Sequence, residues 1–136
     1  MNTIFSKIIS REVPADIVYE DAYVLAFLDI RPVRKGHTLV IPKIEFVNIF
    51  DGDPEYLGRM MVVAQKIAPA IIKATGATGV NLLMNNGEAA GQDVMHAHLH
   101  IIPRFRRGET FIVPDHDSYL QDESPELAEK IKTVIA

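Results

Sequence analysis

Cysteine is absent from this chain. That excludes disulfides and thiolate-bound metal outright. Long apolar runs are also missing, so nothing in the sequence reaches the roughly 20 residues a membrane-spanning helix needs. Charge of either sign is scarce in excess: the formal net charge is −4, without the basic footprint that would point to nucleic acid or an anionic membrane as partner. No internal repeat or low-complexity tract is visible. The start, Met1-Asn2-Thr3-Ile4-Phe5-Ser6-Lys7, lacks the basic-then-apolar order of a signal peptide, and a cytoplasmic protein is the expectation. What is there, 136 residues that are 48% hydrophobic and 24% charged, suits one domain, residues 1–136, large enough to bury a core.

Along the chain, Thr3 to Ile9 predicts a short amphipathic helix ended by the turn around Pro14. Ile17-Val18-Tyr19 and Tyr23 to Ile30 predict a hairpin joined at Glu20-Asp21. A basic loop around Pro32 to Gly36 leads to a strand over His37 to Ile41, which Pro42 either stops or places at a sheet edge. A long helix follows. Asp53 is its N-cap, Pro54 its first helical residue, Glu55 lies in the first turn and Gly76 is its stop. Leu57, Met60, Met61, Ala64, Ile67, Ala68, Ile71 and Ile72 form its apolar stripe, Val62 and Val63 fall outside it, and Pro69 is expected to kink it. Val80 to Met84 predicts an edge strand, Asn85 to Gly91 a turn, and Val94 to Pro103 a further strand. A last short helix around Ser124-Pro125-Glu126 carries Leu127, Ile131 and Val134 on one side. The expected fold is α+β: an antiparallel sheet of about five strands with one long helix and one or two short ones.

The segment His96-Ala97-His98-Leu99-His100-Ile101-Ile102 holds three of the chain's five histidines. On a strand, alternation with period two puts all three imidazoles on one face and Ala97, Leu99 and Ile101 on the other, against a core. Metal ligation and phosphoryl or nucleotidyl transfer both use such a row. With a rise of about 3.3 Å per residue the outer two rings start roughly 13 Å apart at Cβ. Two neighbouring rings could share a zinc ion with bonds of about 2.1 Å, but three could not without a sharp bend. An extended phosphate chain matches the row better.

These residues resemble the histidine triad family of nucleotide hydrolases and transferases, in its small microbial form. His96-x-His98-x-His100 followed by Ile101-Ile102 is similar to that family's namesake motif, and it stands after Gly91-Gln92-Asp93-Val94 as in family members. Ile4-Phe5-x-Lys7-Ile8-Ile9, Phe27-Leu28-Asp29-Ile30 and Gly36-His37-Thr38-Leu39-Val40-Ile41-Pro42-Lys43 match the family's other blocks in the same order. The likeness covers residues 3–104, leaving 105–136 as a C-terminal extension. It implies a purine nucleoside phosphate bound at its α-phosphate, with His98 attacking phosphorus to give a covalent nucleotidyl-histidine that water then hydrolyses. By the same resemblance His96 orients its neighbours, His100 bonds the phosphate or leaving atom, and His37 is the family's fourth histidine. Gly91, Gln92, Asp93 and Val94 would receive the phosphate, Gln92 adding its side-chain amide, with Asn85 at the edge of the site. Asp29 would take the ribose hydroxyls, and Ile4, Phe5, Ile8, Phe27 and Ile30 the base. The family also implies a homodimer paired through the long helix and a sheet edge, and no cofactor.

Two departures from the family pattern matter. Many microbial relatives hold a structural zinc with cysteines where this chain has Thr3 and Ser6 and a histidine where it has Glu45, so no metal is expected here. Asp93 stands where several branches have serine or threonine, and a carboxylate there would repel phosphate if it pointed inward. Three readings stay open: a nucleotidyl hydrolase acting on nucleoside phosphoramidates or dinucleoside polyphosphates, a nucleotide-binding scaffold with little catalysis, and a metal enzyme using two of the strand histidines. Outside these blocks His116 lies in a polar stretch and reads as an exposed loop residue.

Overall fold

The computed structural model describes residues 2–106, 109 and 115–135. Among them the chain runs α1 (Ile4–Ile9), β1 (Ile17–Glu20), β2 (Val24–Leu28), β3 (Thr38–Pro42), α2 (Pro54–Thr75), β4 (Gly79–Leu83), a 3₁₀ turn (Glu88–Ala90), β5 (Leu99–Arg104) and α3 (Glu123–Val134). The strands form one sheet in the order β1-β2-β3-β5-β4, antiparallel at every pairing. This is the α+β arrangement expected, with β4 at an edge.

Local chemistry accounts for the elements. In α1 the hydroxyl of Thr3 accepts the Ser6 N–H at 3.1 Å while the Ser6 hydroxyl accepts the Thr3 N–H at 2.8 Å, a reciprocal cap. The helix ends at Ser10, ahead of the expected turn at Pro14, because Arg11 adopts a left-handed φ of 67°. In the hairpin the Asp21 carboxylate accepts the N–H groups of Tyr23 and Val24, both at 2.8 Å, which fixes the turn into β2. Asp53 caps α2 through the Glu55 and Tyr56 N–H groups, and Gly76 closes it at φ 81°. The helix continues as one element through Pro69, whose ring lies on the exposed side.

The buried face of α2 is Met60, Val63, Ala64, Ile67 and Ile71. Val63 therefore belongs to the core, and Met61, placed in the stripe by sequence, is 51% exposed together with Val62 at 61%. A step of one residue turns the helix by about 100°, so Met61 cannot share the face of Met60 and Ile67. That face packs on Val24, Ala26, Val40, Ala97, Leu99 and Ile101 on one side of the sheet. The alternate residues Leu25, Phe27, Leu39 and Ile41 pack on the other side with Phe5 and Ile8 of α1. A helix of six residues covers only part of that second side, and the uncovered part becomes a cavity. None of the described residues of α3 is buried, so it does not cover Met61 and Val62 within one chain.

Two details of the histidine segment differ from expectation. Pro42 stops β3 and does not make it an edge, since β3 lies between β2 and β5. β5 begins at Leu99, not Val94. With Val40 opposite Leu99, Pro42 would face Ala97 if the register continued, but proline has no N–H to give the ladder. The Ala97 N–H instead donates to the Phe46 carbonyl at 2.9 Å. Ala97 still joins the α2-side core, while His98 and His100 line the cavity on the opposite side.

Candidate functional site

The cavity has a volume of about 260 Å³ and lies between α1, the end of β2 and the histidine segment. The structure brings Ile4, Phe5, Ile8, Phe27, Asp29, Ile30, Asp93, Val94, His98 and His100 to its wall. Ile30 is largely exposed, a rim residue more than a floor. His37, His96, Asn85, Gly91 and Gln92 do not line it. Val13, Pro14, Ala15, Leu28 and Leu39 do, and sequence reasoning missed them. The short apolar run Val13-Pro14-Ala15 after α1 was the available signal for three of these.

Hydrogen bonds fix the ring tautomers. His98 Nδ1 lies 2.8 Å from the carbonyl oxygen of His96. A carbonyl only accepts, so the hydrogen is on Nδ1 and the Nε2 of a neutral ring keeps its lone pair. Phe5 packs edge-on against this ring with centroids 5.0 Å apart. On the other flank the Val33 N–H donates to His37 Nδ1 at 3.1 Å, which leaves the hydrogen of neutral His37 on Nε2. That Nε2–H donates to His100 Nδ1 at 2.9 Å, so His100 carries its own hydrogen on Nε2. With both rings neutral, the site presents an unprotonated nitrogen on His98 and a donor on His100, with ring centroids 5.0 Å apart.

Burial favours the neutral form of His100, His37 and His96. His100 is pushed down to about 4, by desolvation first and then by the neighbouring His98 and His37. His37 is lowered by burial, against the opposing pull of the Asp29 carboxylate. His96 is likewise lowered by burial, with its bond to Pro42 and the nearby Glu45 carboxylate acting the other way.

His96 stands outside the cavity. Its Nε2–H donates to the Pro42 carbonyl at 3.0 Å, and the Thr3 hydroxyl lies 3.4 Å from its Nδ1. Its direct contribution to His98 is its backbone carbonyl. Asp29 serves twice: Oδ1 accepts the Arg31 N–H at 2.8 Å in a turn, and Oδ2 lies 3.7 Å from His37 Nε2. Asp29, His37 and His100 place one ligand atom each within 4.8 Å of one another, so this trio, not two triad histidines, is the candidate metal cluster among the described residues.

The segment expected to receive phosphate, Gly91 to Val94, departs most from the sequence reading. Gln92 is buried and its side chain is fully occupied. Nε2 donates to Val47 O at 2.6 Å and Val94 O at 3.0 Å, while Oε1 accepts from Asn48 Nδ2 at 3.1 Å and the Gly87 N–H at 2.9 Å. Its backbone N–H goes to Gly87 O and that of Gly91 to Glu88 O. Neither residue has a donor left for phosphate: their N–H groups close the 3₁₀ turn, with Gly91 at φ 89°. Asn85 Nδ2 reaches the Gly91 carbonyl at 3.5 Å, supporting the turn from behind. The Val94 N–H donates to Asp93 Oδ1 at 2.9 Å.

This site sits in a chain whose residues 10–107 match the HIT domain family. The chain belongs to that family. It is similar to the protein Hit of Bacillus subtilis, 45% identical over 99% of this chain and 92% of that one. It is 46% identical to the purine nucleoside phosphoramidase of Escherichia coli over 74% of this chain and 85% of the enzyme. It is 44% identical to the adenylylsulfatase HINT3 of Arabidopsis thaliana over 76% of this chain and 53% of that protein. Among solved structures, a HIT family protein from Bacillus subtilis superposes with a TM-score of 0.90 at 42% identity, covering 100% of this chain and 99% of that one. A zinc-bound histidine triad protein from Mycobacterium smegmatis gives 0.78 at 39% identity, covering 98% of each. Among the described residues no helix is long and apolar enough to cross a membrane.

Proposed function

We propose that this chain is a nucleotidyl hydrolase that cleaves at the α-phosphate of purine nucleoside phosphoramidates or dinucleoside polyphosphates. Its catalytic unit is residues 3–104, and it acts in the cytoplasm without a cofactor. The observation that carries this is the bond from His98 Nδ1–H to the His96 carbonyl, which leaves Nε2 of a cavity-lining ring free to attack.

In the first step His98 Nε2 forms a bond to phosphorus as the bond to the leaving group breaks. The leaving group departs with the electron pair and takes a proton at the cavity, where His100 Nε2–H is a donor. The nucleotidylated ring carries positive charge, and the His96 carbonyl 2.8 Å from Nδ1 stabilises it. In the second step water attacks phosphorus and the electron pair of the P–N bond returns to His98. The proton of that water restores the donor, and nucleoside monophosphate leaves. Dividing one displacement in this way is covalent catalysis. Asp29 takes the ribose hydroxyls with the carboxylate it turns toward His37, and Phe5, Ile8 and Phe27 hold the base.

The Escherichia coli relative is a purine nucleoside phosphoramidase by name, which supports adenosine 5′-phosphoramidate as the first substrate to try. Rapid mixing with it, quenching into base and measuring intact mass tests the mechanism. One adenylyl group on the wild-type chain and none on His98→Ala is the expected result. Nucleotide binding with neither adduct nor monophosphate release points instead to the scaffold reading.

The reading includes a homodimer. Met61 and Val62 of α2 and Leu82 and Leu83 of the β4 edge are exposed in one chain, and α3 buries none of them. A twofold pairing through helix and edge covers both.

A further inference from the structure

Asp93 Oδ1 lies 2.9 Å from the Val94 nitrogen and 3.8 Å from His98 Nε2. One carboxylate oxygen therefore stands at the mouth of the nucleophile while holding the Val94 N–H. Attack requires phosphorus to come within roughly 3–3.5 Å of Nε2. A substrate phosphate oxygen must then enter the space that Oδ1 fills. The side chain is 85% exposed, so little packing resists its leaving.

We propose that Asp93 is an internal competitor for the phosphate seat and thereby a specificity-determining residue of the site. This rests on the nucleotidyl hydrolase reading. Its carboxylate occupies the place of one phosphate oxygen when the site is empty and must swing out when a nucleotide binds. A seat filled nine-tenths of the time by its own side chain lowers apparent affinity about tenfold. The displaced carboxylate stays tethered beside the bound phosphate, and like charges nearby repel. Phosphates carrying less negative charge are therefore favoured. A phosphoramidate, whose leaving group is an uncharged amine, suffers less than a dinucleoside polyphosphate, whose leaving group is itself a polyanion. An amine N–H can also donate to the carboxylate, which a polyphosphate cannot do.

Calorimetric titration of wild-type, Asp93→Asn and Asp93→Ala chains with AMP and with adenosine tests this. The asparagine keeps the size and an acceptor for the Val94 N–H, so it guards against a loop that collapses in the alanine variant. AMP should bind the alanine variant about tenfold more tightly than wild type and the asparagine variant by a smaller factor, since its amide still fills the seat but carries no charge, while adenosine, which lacks the phosphate, binds all three alike. In turnover, KM for a dinucleoside tetraphosphate should fall more than KM for adenosine 5′-phosphoramidate. AMP affinity that stays unchanged or weakens in both variants, with adenosine bound normally, overturns the competitor role and leaves the nucleotide site standing. Failure of every chain, wild type included, to bind either ligand overturns the nucleotide reading and this inference with it.

Discussion

His37 Nε2 donates to His100 Nδ1 across 2.9 Å, joining residues 63 positions apart in the chain. Because the Val33 N–H occupies the far nitrogen of His37, this one bond decides which nitrogen of His100 faces the cavity with a hydrogen. Replacing His37 by asparagine should release that constraint. By analogy with the partners that orient metal-bound histidines, the loss is roughly 10- to 100-fold. The loss is expected in kcat with KM little changed, measured as monophosphate release from a phosphoramidate.

His98→Ala should separate chemistry from binding. Losing a covalent nucleophile removes several orders of magnitude in rate, far more than losing a positioning contact. AMP affinity should stay within a few-fold of wild type, because Phe5, Ile8 and Phe27 remain in place. Near-normal turnover by the purified variant would sink the assignment.

Stability should fall as the solution is acidified from neutral to about pH 4. An unfolded histidine takes up its proton near its ordinary value, whereas native His100 does so only near about 4. Across that window the unfolded state binds more protons, which favours unfolding as pH drops. His37 and His96, also lowered by burial, add in the same direction. For His100, which is partly accessible, the loss at pH 4 is on the order of 1–2 kcal/mol after discounting for solvent screening. Melting temperatures across the range should show the decline, and His100→Gln should flatten part of it.

Activity should survive exhaustive chelation. The facing nitrogens of His37 and His100 already share a hydrogen, so a metal at Asp29, His37 and His100 would have to displace it. His96 Nδ1 faces the Thr3 hydroxyl, a neutral group that is a poor zinc ligand. Elemental analysis of the purified chain, with assays before and after chelation, decides the matter. A stoichiometric metal whose removal abolishes turnover and whose return restores it would establish the metal-enzyme reading.

Sedimentation equilibrium at micromolar concentration should give the mass of two chains. Val62→Glu, a charge on the exposed face of α2, should shift the mass toward one chain without lowering stability much, since Val62 is 61% exposed. A monomer mass for the wild type would refute the dimer.

Much of this architecture is legible in the sequence because its signals are local. Asp53, Pro54 and Gly76 mark α2 within a residue, and Asp21 marks the hairpin through its own neighbouring N–H groups. The period-two pattern places Ala97, Leu99 and Ile101 on the α2 side although β5 begins only at Leu99. What escapes is set by distant partners. The length of β5 depends on Pro42 and Phe46, more than 40 residues upstream by sequence number. The hydrogen on His100 depends on Val33 acting through His37. Glycine and amide side chains in Gly91-Gln92 suggest an anion nest by type, yet their donors are taken by Gly87, Glu88 and Val47. Composition names which groups are present, and only the folded chain says which are already engaged.

The four bonds of Gln92 tie two connections of the fold into one body. Val47 and Asn48, from the segment between β3 and α2, are joined through one amide to Gly87 and Val94, from the segment between β4 and β5. The Ile49 N–H adds a second tie, to Asn86 Oδ1 at 2.8 Å. Such a knot opens cooperatively: a fluctuation that frees one partner leaves the buried amide of Gln92 with an unmet hydrogen-bonding group. The amides on both sides should therefore exchange with solvent as a single cooperative unit. The motion left to the loop belongs to the Asp93 side chain, hinged at the edge of a rigid frame.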